Sequence, residues 1–157
     1  MQKEPSLPLG SSPEIEFYVQ GEPRPQGSKT PVVRGGRAFL IEGKGKAPAM
    51  HKKWRQTVAE AAEKAAGTTT WDPSTDGDGP MWVSLEFNLL RPKSRKSSLK
   101  YADRKPDVDK LTRSILDSLT GPILREDSRV VELQASKVYV SDEINQGVAI
   151  KIRRIYE

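Results

Sequence analysis

The stretch KPDVDKLTRSILDSLTGPILRED, residues 105–127, decides how this chain is read. Val108, Leu111, Ile115 and Leu119 recur at the spacing of a helix with one apolar face. Gly121 and Pro122 stop that pattern, in the place where Gly and Pro commonly follow a helix. Pro106 favours an extended-to-helix transition at the other end. Asp107 and Asp109 stand two residues apart at the helix start, and Glu126 and Asp127 come after the break, where the chain turns into a strand. One carboxylate can cap a helix, but a cap needs only one Asp. Asp109, Arg113 and Asp117 follow at four-residue steps and share a face roughly opposite Leu111 and Ile115. As a plain ion-pair ladder that face adds roughly a few tenths of a kcal/mol. A helix–turn–strand return can bring Asp127 back to the helix, and the spacing leaves open which end it meets.

Residues 91–106 hold seven Lys or Arg in sixteen positions, a run too basic and polar for a core. It reads as a solvated loop or as a phosphate-binding loop, with Arg91, Lys93, Arg95, Lys96, Lys100 and Lys105 as the candidate contacts. Arg24 and Lys29 join them from GEPRPQGSKTP, residues 21–31, whose prolines and glycines argue against regular structure. Met81, Val83, Leu85, Phe87 and Leu89 alternate with more polar residues as a strand, and so do Ile15, Phe17 and Val19. After the acidic pair, residues 129–140 alternate with Val131, Leu133 and Ala135 on one face, and 148–152 form a last strand. Residues 50–66 read as a helix, with Trp54, Val58, Ala61 and Ala65 at helical spacing. Between Arg37 and Ile41 a short strand fits, followed by a Gly/Lys loop, and residues 67–80 read as a mobile loop. A flexible tail over 1–13 then leaves a single domain over 14–157. The order of elements gives an α/β or α+β domain: a small mixed sheet with two main helices.

Composition bounds the chemistry. A length of 157 residues suits one domain, with 35% hydrophobic and 30% charged residues. Twelve Gly and twelve Pro suit long loops, and a formal net charge of +5 favours a polyanionic partner. The absence of Cys excludes disulfides, thiolate zinc sites and Cys nucleophiles, and a single histidine, His51, excludes sites built on two. His51 reads as an exposed helix residue, Trp54 and Trp82 as core or dimer-interface residues, and Trp71, in a polar loop, as an exposed contact. No apolar run approaches a membrane span of roughly 20 residues and no signal-peptide pattern opens the chain, so a cytoplasmic protein is expected.

Three carboxylates placed together repel one another unless a cation lies among them. Magnesium takes hard oxygen ligands, typically a few carboxylates with water and substrate phosphate, and it can polarise a phosphodiester and activate a water. The pattern KPDVDKL…R…LD.LTG…EDS.V resembles the core signature of the RusA family of Holliday-junction resolvases. The likeness spans about residues 105–137, with weaker similarity at residues 21–29 and in the strand entering Arg91, Pro92 and Lys93. It implies that Asp107, Asp109 and Asp127 are metal-binding carboxylates. It sets Arg113 where the family commonly has a catalytic lysine, Asp117 on a later helix Asp, and Lys137 on a basic residue of the following strand. Lys110 stands where the family often has Asn and is counted with the DNA contacts. Arginine stays charged where lysine can shuttle a proton, so Arg113 suits phosphate stabilisation better than proton transfer.

The resemblance further implies a RusA-like fold and a homodimer that resolves four-way DNA junctions by paired nicking. It implies Mg2+ as cofactor with Mn2+ as a substitute, and work in recombination, repair or phage DNA processing inside a bacterial cell. Three rivals remain. A PD-(D/E)xK nuclease fits Pro106 and Asp107, but its acidic-x-Lys element does not follow downstream; Glu42, Gly43 and Lys44 lie upstream. A DNA-binding module without catalysis would show the same charge. An RNA-binding or scaffold protein using the 91–106 loop is disfavoured by an aromatic content of only 6%.

Overall fold

A computed structural model describes residues 13–27, 29–42 and 46–156, with the side chains of 29–32, 40–42 and 46 outside the description. The expected tail over residues 1–13 thus falls almost wholly outside the described residues. The elements run β1 (Glu14–Gln20), β2 (Lys29–Arg34), β3 (Arg37–Glu42), α1 (Lys46–Thr68), β4 (Met81–Leu90), α2 (Val108–Leu119), β5 (Val130–Val140) and β6 (Gly147–Arg154). One-turn 3-10 helices precede β5 at Asp127–Arg129 and β6 at Glu143–Asn145. The expected mixed sheet with two main helices is what forms.

The main sheet has the order β1-β6-β4-β5. β1 and β4 both run antiparallel to β6, while β5 runs parallel to β4. A parallel pair needs a crossover, and the basic loop with α2 is that crossover. β4 supplies most of the sheet's core: Met81, Val83, Leu85, Phe87 and Leu89 are buried, and Glu86 on the other face is exposed. The rest of that face is partly covered: Ser84, Asn88 and Leu90 are half-buried, and Trp82 is buried with Arg153 4.9 Å from its ring. α1 covers the core face with Trp54, Val58, Ala62 and Ala66, and α2 with Leu111, Ile115 and Leu119. Full burial of one side chain such as Ile115 stabilises the fold by about 1.5–3 kcal/mol.

Several expectations are corrected. α1 starts earlier and ends later than 50–66, with Pro48 tolerated in its first turn, where a missing N–H costs nothing. Its buried alanines are Ala62 and Ala66, with Ala61 and Ala65 only partly covered. The end of the 21–31 stretch is a strand, because Lys29–Arg34 pairs with Arg37–Glu42 as a hairpin. Gly35 and Gly36 form its turn at φ +57 and +74, a backbone that glycine adopts without strain. His51 is buried, with Nε2 3.1 Å from Ser114 Oγ where α1 meets α2. Periodicity alone cannot show that small serines at 114 and 118 bring the helices close enough to cover it.

Trp71 is also buried, at 7% exposure, and its Nε1 donates to Ile123 O over 2.9 Å. The polar loop around it is strapped down rather than loose. Asp72 O accepts from the Asp76 N–H at 2.7 Å, Gly77 O accepts from the Arg125 N–H at 3.1 Å, and Thr75 O accepts from Arg154 Nη1 at 2.6 Å. Gly77 is required there, since a Cβ would lie 1.9 Å from Ile123 O. Val131 and Leu133 share a face of β5 but leave it 60% and 40% exposed, and Val108 is 37% exposed instead of joining the α2 core stripe.

Candidate active site

The site is built by the return of the chain after α2. Gly121 takes φ +106 and its N–H donates to Leu124 O at 2.8 Å, while the Ile123 and Leu124 amides both reach back to Leu119 O. Ile123 and Leu124 are themselves fully buried. The tight turn delivers Asp127, in the 3-10 helix, to the flank of α2 at Asp117 and Thr120, around a hollow of about 390 Å³ that Glu126 also lines.

A larger cleft of about 420 Å³ runs along α2. Val108, Asp109, Thr112, Arg113, Leu116 and Asp117 form one wall; Asp127, Leu133 and Ala135 complete it. The anticipated shared face of Asp109, Arg113 and Asp117 is therefore real, and Asp127 meets it. The ion-pair ladder is not: among the described residues none of these four makes a salt bridge. Thr112 is 6% exposed, and among the described residues its buried Oγ1 has no hydrogen-bond partner. Nothing in the sequence singles out Thr112, because a threonine one turn from a hydrophobic stripe looks like any other helix residue.

Asp107 is set apart. It stands at the N-cap of α2 in extended conformation, but its side chain makes no cap hydrogen bond. Its carboxylate lies 3.9 Å from Lys110 Nζ and lines a neighbouring cleft of about 390 Å³ with Glu22, Arg24, Lys105 and Lys110. Asp107, Asp109 and Asp127 thus do not share one hollow, and among the described residues no cluster of three acidic or His side chains is preassembled for a metal ion.

The donor chemistry nevertheless fits a hard divalent cation. The cleft offers carboxylate oxygens from Asp109, Asp117 and Asp127, all unpaired among the described residues, beside the orphan Thr112 hydroxyl. Magnesium sites commonly use one or two carboxylates and leave the remaining positions to water and substrate phosphate.

The basic residues divide by what already holds them. Arg91 donates to Leu99 O at 2.8 Å and stacks over Tyr139, and Arg95 pairs with Asp103. Both shape the loop. Lys137 is half-buried on β5 and donates to the carbonyls of Arg104 and Pro106 at 2.7 and 2.8 Å, which fixes the approach to Asp107. Lys100 lies 5.2 Å from the Tyr101 ring. Arg24 pairs with Glu22 at 2.7 Å in the cleft it shares with Lys105, Lys110 and Asp107. Lys93, Lys96 and Lys105 are exposed, and their side chains make no hydrogen bond or ion pair among the described residues. The Lys29 side chain lies outside the described residues.

Residues 20–153 match the family model described as endodeoxyribonuclease RusA. The chain is also similar to the uncharacterized protein YqaN of Bacillus subtilis (strain 168), with 31% identity over 147 residues that cover 87% of this chain and 95% of that one. The chain belongs to the RusA endodeoxyribonuclease family, which makes it a nuclease acting on DNA. Among the described residues no helix is long and apolar enough to cross a membrane.

Replacing Lys93, Lys96 and Lys100 together by Ala should weaken DNA binding and flatten its log–log salt dependence, by about one unit of slope for each phosphate left without its lysine. Arg95→Ala should instead lower the thermal midpoint with a smaller change in slope. Equal slopes for the triple variant and the parent would reduce the lysines to a solubility feature.

Proposed function

We propose that this protein is a Mg2+-dependent endonuclease that resolves four-way DNA junctions by paired nicking, with Mn2+ able to substitute. The observation that carries the proposal is the α2 cleft, where Asp109 and Asp127 come from opposite ends of the helix–turn unit to one hollow without ion-pair partners among the described residues. Asp109 and Asp127 would hold the cation, with Asp107 in the neighbouring cleft at the helix start. A bound divalent ion would supply Lewis-acid polarisation of the phosphodiester and a water of lowered pKa.

The chain's own groups do the remaining work. The exposed lysines of the 91–106 loop draw the backbone towards the N-terminal end of α2. Lys105, Lys110 and Arg24, in the cleft beside Asp107, would grip the adjacent phosphate. Lys137 holds the carbonyls at 104 and 106 and so keeps Asp107 in place. The guanidinium of Arg113, in the cleft wall one turn after Asp109, would donate to a non-bridging oxygen and stabilise charge as it develops. A guanidinium does not give up its proton, so Arg113 is not the general acid or base. Such a reaction serves recombination, repair or phage DNA processing in the cytoplasm.

Asp→Asn at 107, 109 or 127 should abolish cleavage of a synthetic four-way junction in Mg2+ and leave junction affinity equal or tighter, since repulsion of phosphate falls. Full activity in any one variant removes that residue from the site. A DNA-binding module without catalysis predicts no Mg2+-dependent nicking by the unaltered chain.

Arg113→Ala should slow cleavage by about 10²-fold or more, the loss typical of one transition-state donor, with a far smaller change in affinity. Arg113→Lys should retain substantial activity. A normal rate in the Ala variant would leave Arg113 as a surface residue of the helix.

The two-fold symmetry of a junction calls for two like active sites, and so for a homodimer. Light scattering at micromolar concentration should give twice the chain mass of 17.5 kDa. A monomer that retains paired nicking would contradict this.

A further inference from the structure

The loop between α1 and β4 is strapped onto the turn that carries Asp127, and one of its straps is ionic. Asp78 receives two arginines: Arg125 Nη1 at 2.8 Å on one oxygen and Arg129 Nε at 2.9 Å on the other. Those residues stand two before and two after Asp127. Arg129 reaches on to Glu126, 3.6 Å away, and the Arg125 N–H donates to Gly77 O at 3.1 Å. Beneath them Trp71 donates to Ile123 O, and Gly77 packs where no side chain fits. Arg129 and Arg125 hold the Asp78 carboxyl below its ordinary range, and Asp78 raises Arg129 in turn. A depressed carboxylate of this kind keeps its clamp at neutral pH and releases it only as pH falls through its lowered value.

We infer that Asp78 is a positioning residue for Asp127: by holding Arg125 and Arg129 on one carboxylate, it fixes the turn between them so that Asp127 faces the α2 cleft. Asp127 has no side-chain hydrogen bond or ion pair of its own among the described residues to fix it there. A 3-10 turn of three residues with no side-chain cap is a weak support by itself. The clamp comes from outside the helix–turn unit, from a loop whose composition suggests only mobility. The inference rests on the reading of Asp127 as a metal ligand.

The test compares Asp78→Asn and the double variant Arg125→Gln/Arg129→Gln, which cuts the same clamp from its other side, with the parent and with Asp127→Asn. Three quantities are measured on the full chain: Mn2+ affinity by calorimetry without DNA, amide exchange over residues 124–130, and junction cleavage beside junction affinity. Asp78→Asn should weaken Mn2+ binding and slow cleavage about 10- to 100-fold, as removal of a group that orients a metal ligand does. It should also speed exchange at Arg125 and leave junction affinity within about twofold, and the double variant should weaken Mn2+ binding in the same direction. Parental Mn2+ affinity and cleavage in Asp78→Asn, with only a lower melting temperature, would overturn the inference and leave Asp78 a loop staple. If Asp78→Asn does not fold, the double variant decides on the same readouts. If Asp127→Asn itself binds Mn2+ and cuts like the parent, the metal-ligand reading fails first, and that outcome is distinct from failure of the clamp alone.

Discussion

Ile123 and Leu124 are wholly buried, and their burial turns the chain back after α2. With Gly121 in the left-handed region and three backbone hydrogen bonds closing the turn, the chain reverses within a few residues and enters β5 parallel to β4. Everything that reads as function hangs on this reversal. It carries Asp127 alongside Asp117 and into the cleft that Asp109 and Arg113 line from α2. Because the anchors are apolar and buried, the exposed residues of the turn are left to chemistry.

The electrostatics have the same division of labour. Among the described residues, carboxylates in the cleft are left unpaired, while most arginines close by are already occupied: Arg125 and Arg129 by Asp78, Arg95 by Asp103, Arg91 by a carbonyl. Among the described residues, Arg113 is the cation that stays unpaired in the cleft. An acidic hollow with one uncommitted guanidinium, bordered by lysines, suits a site whose missing charges arrive with a divalent ion and a phosphate backbone. Asp107, in the next hollow with Lys110 beside it, sits at the seam between the basic approach and the acidic cleft.

Much of this is legible in the sequence, for identifiable reasons. Strong periodicity marks β4 and α2, and the Gly121–Pro122 break marks the turn, so the Asp109, Arg113 and Asp117 face follows from helical geometry alone. Local pattern fails where tertiary partners decide. His51 and Trp71 look solvent-facing because their partners, Ser114 and the Ile123 carbonyl, lie far away in sequence. Asp78 and Thr112 do not stand out, since neither an Asp among glycines nor a Thr on a helix carries a mark of its own. Val131 and Leu133 alternate as strand residues do, yet alternation gives the face and not what covers it. The separation of Asp107 from Asp109 into different hollows is likewise invisible, because it depends on which way the 21–27 loop packs against the helix start.

We propose that a divalent ion binds in the α2 cleft. Paramagnetic broadening of backbone amide signals by substoichiometric Mn2+ tests it most directly. Broadening should centre on Asp109, Arg113 and Asp117 together with Glu126 and Asp127, and should vanish on competition with excess Mg2+. Broadening centred on the Asp72–Asp78 loop instead, or none at these positions, would contradict the account.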